Sequence, residues 1–171
     1  YFNLINYNLI YNNKAINRYK KEKFELPEDQ AESLSLLKKS ILNLKNCDLK
    51  NQAKNIVFSD GNPKSKIMLI GEAPGANEDL EGLPFVGRAG QLLDKMLSAI
   101  NLDRQKVYIS NIINYRPPDN RRPTEDEIKR YLPFITKHIE IIKPRILVLL
   151  GSTAMNALIG NDNVISKMRG K

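Results

Sequence analysis

Cysteine is almost missing from this chain: Cys47 stands alone among 171 residues, which excludes an internal disulfide. Long apolar runs are missing too, and none approaches the roughly 20 residues that a membrane span requires. The opening stretch YFNLINYNLIYNNKAINRYKKEK has Asn interrupting every apolar run, so it does not read as a signal peptide. A reducing, cytoplasmic setting fits these features. Two nucleotide signatures also fail. GEAPGANEDLEGLPFVGRAGQLLDKML, residues 71–97, is a Gly-rich turn feeding a helix, a shape that often cradles phosphate. It supplies no Walker lysine, and its glycines at 71, 75, 82, 87 and 90 do not fit GxGxxG. The acids Glu72, Glu78, Asp79 and Glu81 argue further against a polyphosphate.

What is present suits one soluble domain: 42% hydrophobic and 27% charged residues, with a net charge of +8. The positive balance favours a polyanionic partner, although a Lys-rich coding bias gives the same number without any binding role. Leu34, Leu37, Ile41 and Leu44 recur at helical spacing and predict a helix over about 28–45. A turn is expected at 60–63, a buried strand at 66–70, and an acidic loop up to 87. A second helix is marked by Leu92, Leu93, Met96, Leu97 and Ile100. A strand at 107–110, a Pro/Asn/Arg loop at 111–123, and a helix opened by a Thr124/Glu127 capping box follow. That helix runs to Pro144, and a strand at 146–150 then turns through Gly151 into a short helix ending near Ile159.

Alternating strands and helices predict an α/β fold, with a mainly parallel central sheet flanked by helices on both faces. The loops at 71–87, 111–123 and 151–153 then share the carboxyl edge of the sheet, where open α/β folds bind ligands. His138, the only histidine, lies inside the third helix and reads as a surface or packing residue.

Four separated motifs in order, GEAPGANED, PFVGRAGQLLD, SNIINYRPPDNRRPT and RILVLLG, resemble the family 4 uracil-DNA glycosylases. The resemblance covers about residues 45–171, leaving 1–44 as an N-terminal helical extension whose order stays open. It implies a three-layer α/β/α uracil-DNA glycosylase-like domain. It also implies an enzyme of base excision repair that flips uracil out of DNA and hydrolyses its N-glycosidic bond. The implied partner is uracil-containing DNA, met by a monomer away from membranes. Such chemistry needs a flat stacking surface, a reader of the base edge and stabilisation of the departing charge.

Phe85 offers the flat surface, with a core aromatic as the alternative. Asn111 offers an amide that accepts from uracil N3–H and donates to O4, the reverse of what cytosine needs; a turn-forming Asn is the alternative. Ala73 stands where better-known relatives place a water-activating Asp, so the family pattern assigns water positioning to Glu72 and Asn120. Gly71 and Gly75 would allow close backbone approach, and Glu78 would crowd the C5 side of uracil or else merely begin a helix. Arg116, Arg121 and Arg122 would pair with DNA phosphates, or be solvated arginines.

Two departures from the family pattern stand out. Family members usually hold a four-cysteine iron–sulfur cluster, but the matching positions here are Cys47, Lys50, Tyr115 and Tyr131. One thiolate cannot hold such a cluster, so no cofactor and no metal is expected, with the two tyrosines filling the space. Members also continue past VISKMRGK to a His-Pro-Ser segment whose histidine stabilises the uracil anion, and these residues end at Lys171. Slow excision is the expected consequence. The competing readings are a catalytically impaired DNA- or uracil-binding module of the same fold, and a nucleotide-binding regulator on the same sheet.

Overall fold

Side chains along a strand alternate in direction, and that alternation decides what each face of the sheet meets. In the computed structural model, which describes residues 29–160 and 165–168, the sheet has four strands in the order β1-β3-β2-β4. Strands β2 (Ile67–Gly71), β3 (Tyr108–Asn111) and β4 (Ile146–Leu149) are parallel, and the two-residue β1 (Asp60–Gly61) pairs antiparallel with β3. Met68 and Ile70 of β2 point to one face. They join Leu34, Leu37 and Ile41 of α1 (Gln30–Leu42), Tyr131 and Ile135 of α5 (Glu125–Ile142), and Ala154 of α6 (Ser152–Ile159). Leu69, between them, points the other way with Ile109 of β3, against Leu93 and Leu97 of α4 (Arg88–Ala99). Helices therefore cover both faces of a mainly parallel sheet, as the alternation of elements predicts.

The connection through α4 runs from β2 to β3 on one side, and the connection through α5 runs from β3 back past β2 to β4 on the other. The strand order therefore reverses between β2 and β4, and the carboxyl ends of β2 and β3 lie at the same sheet edge beside that switch point. Gly71 and Asn111, the last residues of the two strands, are register partners. The Thr124/Glu127 capping box forms: Thr124 Oγ1 accepts from Glu127 N–H at 3.2 Å, and the Glu127 carboxylate accepts from Thr124 N–H at 2.7 Å.

Several elements differ from expectation. The expected turn at 60–63 begins as β1, and the chain reverses at 62–65 instead. The acidic loop contains a six-residue helix, α3 (Ala76–Glu81), and a five-residue α2 (Asp48–Gln52) precedes it in the chain. Leu92, Met96 and Ile100 of the second predicted helix are exposed, at 59%, 59% and 64%, while Gly90, Leu93 and Leu97 face the sheet. Of the expected extension 1–44, residues 1–28 lie outside the described ones. The remainder forms α1, which belongs to the main core. No helix among the described residues is long and apolar enough to cross a membrane.

His138 is a packing residue. It is 2% exposed, stacks on Phe58 at 4.6 Å between ring centroids, and sets Nε2 2.7 Å from the Tyr108 hydroxyl. Burial lowers its pKa to about 3, so the ring is neutral.

Candidate active site

A pocket of about 370 Å³ opens where β2 and β3 end. Ala73, Gly75, Glu78, Phe85 and Asn111, all singled out in the sequence, line it, together with Ala76, Asn77, Gly87, Arg88 and Ala89. Gly71 forms its inner corner. A Cβ at Gly71 would sit 2.5 Å from Asn111 Oδ1 and 2.5 Å from Phe85 Cζ, so the amide and the ring occupy the space that any side chain there would need. Asn111 itself is only 3% exposed, and its amide makes no hydrogen bond to the described residues. Its amide atoms are not sealed from solvent but open onto the pocket, where they are available to a ligand.

The loop carrying Phe85 is held from both sides. Glu78 ties it to α3: Oε1 accepts from Val86 N–H at 3.0 Å and Gly87 N–H at 2.8 Å, and Oε2 accepts from Gly75 N–H at 3.1 Å. Gly75 has no side chain to complete a capping box, so only this returning half exists. A Cβ at Gly75 would meet Glu78 Oε2 at 2.8 Å, which makes room for the carboxylate the reason for that glycine. Phe85 lies in the left-handed region at φ +57°, a conformation that L side chains adopt at a cost of about 1–3 kcal/mol. Gly90 of α4 faces it so closely that a Cβ there would lie 1.6 Å from the Phe85 carbonyl oxygen.

Asp79, 3% exposed, anchors α3 from below by accepting from the N–H groups of Lys54 and Asn55 at 2.9 and 3.1 Å. Arg104 anchors the Pro84 and Phe85 carbonyls. Neither role stood out in the sequence.

Glu72 does not line the pocket. Its Oε2 accepts from the Thr153 hydroxyl at the start of α6, and Thr153 Oγ1 in turn accepts from Arg122 Nε at 3.1 Å. The acidic stretch and the Arg/Pro loop are therefore neighbours, as their shared sheet edge predicts. Asn120 is exposed on that loop, and its Oδ1 accepts from Arg116 Nε at 2.7 Å. Arg121 is committed to Glu127 through two contacts of 2.8 and 2.6 Å and holds that carboxyl below its usual range. Arg88, exposed at the pocket mouth and in the first turn of α4, makes no ion pair with the described residues.

Residues 58–170 match the model of the uracil DNA glycosylase superfamily. The chain belongs to that superfamily. It is 43% identical over 145 residues to the type-4 uracil-DNA glycosylase of Sulfurisphaera tokodaii, covering 82% of this chain and 66% of the relative. The type-4 uracil-DNA glycosylase of Archaeoglobus fulgidus is 40% identical over 144 residues, with 82% and 72% covered. That of Thermotoga maritima is 42% identical over 125 residues, with 72% and 65% covered. The chain spans about two thirds of the length of the relatives it matches.

In this superfamily member the four positions matching the cluster cysteines meet only in part. Cys47 Sγ lies 3.2 Å from the Tyr131 hydroxyl, and Tyr115 belongs to the same core, with 4%, 0% and 3% exposure for the three. Lys50 turns its ammonium to the carbonyl oxygens of Leu42 and Leu44 at the end of α1. Burial, with Cys47 nearby, raises the pKa of both tyrosines. One thiol, two un-ionised phenols and an ammonium turned to backbone carbonyls do not make the four-thiolate donor set of a four-iron cluster.

Proposed function

We propose that this chain releases uracil from DNA by hydrolysis of the N-glycosidic bond, with no iron–sulfur cluster. The observation that carries the reading is Asn111, whose amide has no hydrogen-bond partner among the described residues and opens onto a pocket beside the Phe85 ring. An extruded pyrimidine stacks on Phe85 and meets that amide edge-on. Uracil presents an N3–H donor and an O4 acceptor, which the amide complements. Cytosine presents the reverse and leaves both partners unsatisfied, a penalty of about 1–3 kcal/mol.

In the reaction, the oxygen of water bonds to C1′, the C1′–N1 bond breaks, and the electron pair departs with uracil as its anion. The proton lost by water passes to solvent or to a carboxylate. Ala73 offers no carboxylate, so the rate depends on positioning and on stabilising charge more than on a strong base. Water positioning by Glu72 rests on the family pattern: the carboxylate lies outside the pocket lining with one oxygen on Thr153, and the other has no partner among the described residues. Arg88 at the pocket and Arg116 and Arg122 on the 111–123 loop are the candidate phosphate contacts, whereas Arg121 is engaged by Glu127.

Ala73 also favours a second reading, a module that captures uracil-containing DNA without turnover. Duplexes carrying U·G, T·G or C·G at one position separate the two. Release of free base from U·G alone is the expected result. Salt-sensitive retention of U·G duplex without release supports the binding module, and neither release nor preference rejects both. Purified protein is expected to be colourless, and stoichiometric iron with visible absorption would overturn the cluster-free reading.

A further inference from the structure

Arg104 sits outside the pocket lining, in the turn between α4 and β3, yet two of its four side-chain contacts reach the backbone that carries Phe85 of the pocket. Its Nε donates to Asp94 Oδ1 at 2.8 Å and its Nη1 to Asp60 Oδ2 at 2.8 Å. Nη1 also donates to the Pro84 carbonyl at 3.0 Å, and Nη2 donates to the Phe85 carbonyl. Two carboxylates thus fix the plane of the guanidinium, and the remaining donors fix the backbone that carries the ring. That backbone needs holding, because Phe85 is a non-glycine residue at φ +57°. Its carbonyl is wedged against Gly90, where even a methyl group would collide. Only a planar fork supplies this set of directed donors; a lysine ammonium is a single point charge and cannot.

We propose that Arg104 is the positioning residue for Phe85, locking the ring in place as the stacking face for the extruded base. The activity arm of the test rests on the uracil-excision reading above; the spectroscopic arm does not.

The proteins to compare are wild type, Arg104→Lys, Arg104→Gln, Phe85→Ala and the Arg104→Gln/Phe85→Ala double variant. In single-turnover uracil release at saturating protein, both Arg104 variants are expected to be about 10- to 100-fold slower, the scale of loss when a reacting group is displaced by about an ångström. Duplex affinity should stay within about twofold, because the phosphate contacts are elsewhere. The double variant should be no slower than Phe85→Ala, since Arg104 acts only through that ring. Multiplied losses in the double variant would overturn the proposal.

Independently of activity, the ring resonances of Phe85 in phenylalanine-labelled protein, identified by their loss in Phe85→Ala, should shift and broaden in Arg104→Lys. Those of Phe58 and Phe134 should remain in place and report an intact fold. An unmoved Phe85 signal would overturn the proposal even if the wild type released no uracil, an outcome that by itself rejects only the functional reading. If Arg104→Lys does not fold, Asp94→Asn, which removes one wall of the clamp on its exposed side, should produce the same Phe85 shift in milder form, and no shift would again count against it.

Discussion

Around the pocket, glycines stand where a side chain would collide with a functional group: Gly71 against Asn111 and Phe85, Gly75 against Glu78, Gly90 against the Phe85 carbonyl. Around Cys47 the opposite holds, with Tyr115, Tyr131 and the leucines of α1 filling a shared core. The first region, open to solvent at its mouth, is specified atom by atom through backbone hydrogen bonds and a left-handed φ at Phe85, and the second, fully buried, by volume. The difference teaches which part of a superfamily member tolerates replacement. A core specified by volume can be occupied by any side chains that fill it, whereas a corner fixed by close backbone contacts admits few alternatives.

The comparison breaks most visibly at Tyr131. Truncation to Ala should cost about 3–5 kcal/mol of stability in denaturant unfolding, as for other large buried aromatics, and a small loss would show that the region is not a packed core. Gly90→Ala should cost about 1–3 kcal/mol by overpacking, with the Phe85 loop displaced. A variant as stable as wild type with an unaltered pocket would mean that α4 shifts freely.

His138 gives a pH-dependent contrast. Its pKa is lowered from 6.5 to about 3 in the fold, so the unfolded chain binds the extra proton between those values. Its contribution is complete above about pH 6.5 and declines as pH falls toward 3, with a slope of up to about 1.4 kcal/mol per pH unit. His138→Gln should remove that part of the slope, and identical slopes in the two proteins would refute a neutral buried ring. The smallest effect is expected at Tyr115, whose hydroxyl is buried without a hydrogen-bond partner. Tyr115→Phe should leave stability unchanged or raise it by about 1 kcal/mol. A clear loss would mean that the hydroxyl has a partner after all.

The order of strands and helices was legible because β2 and β4 are short apolar runs bounded by turn residues, and α5 announces itself through Thr124 and Glu127. Gly71, Phe85 and Asn111 were legible because they close strands or interrupt a Gly/Pro loop at the sheet edge. The helix α3 was not: it has six residues and depends on Asp79 catching amides 24 and 25 residues away. Arg104 was hidden for the same reason, since its partners lie 10, 19, 20 and 44 residues distant and no local pattern links them. Leu92 and Met96 helped mark α4, but helical spacing reveals an apolar stripe without saying which part of it meets the sheet.

The central claim is that the Asn111 amide reads the base, and Asn111→Asp tests it most directly because it changes one NH₂ donor into an acceptor with little change in shape. In single-turnover release from a U·G duplex, the variant should lose about 1–3 kcal/mol of uracil recognition, roughly 5- to 150-fold. Binding to undamaged duplex should stay nearly intact. Unchanged uracil release and unchanged preference over cytosine would remove Asn111 from the site and contradict the account.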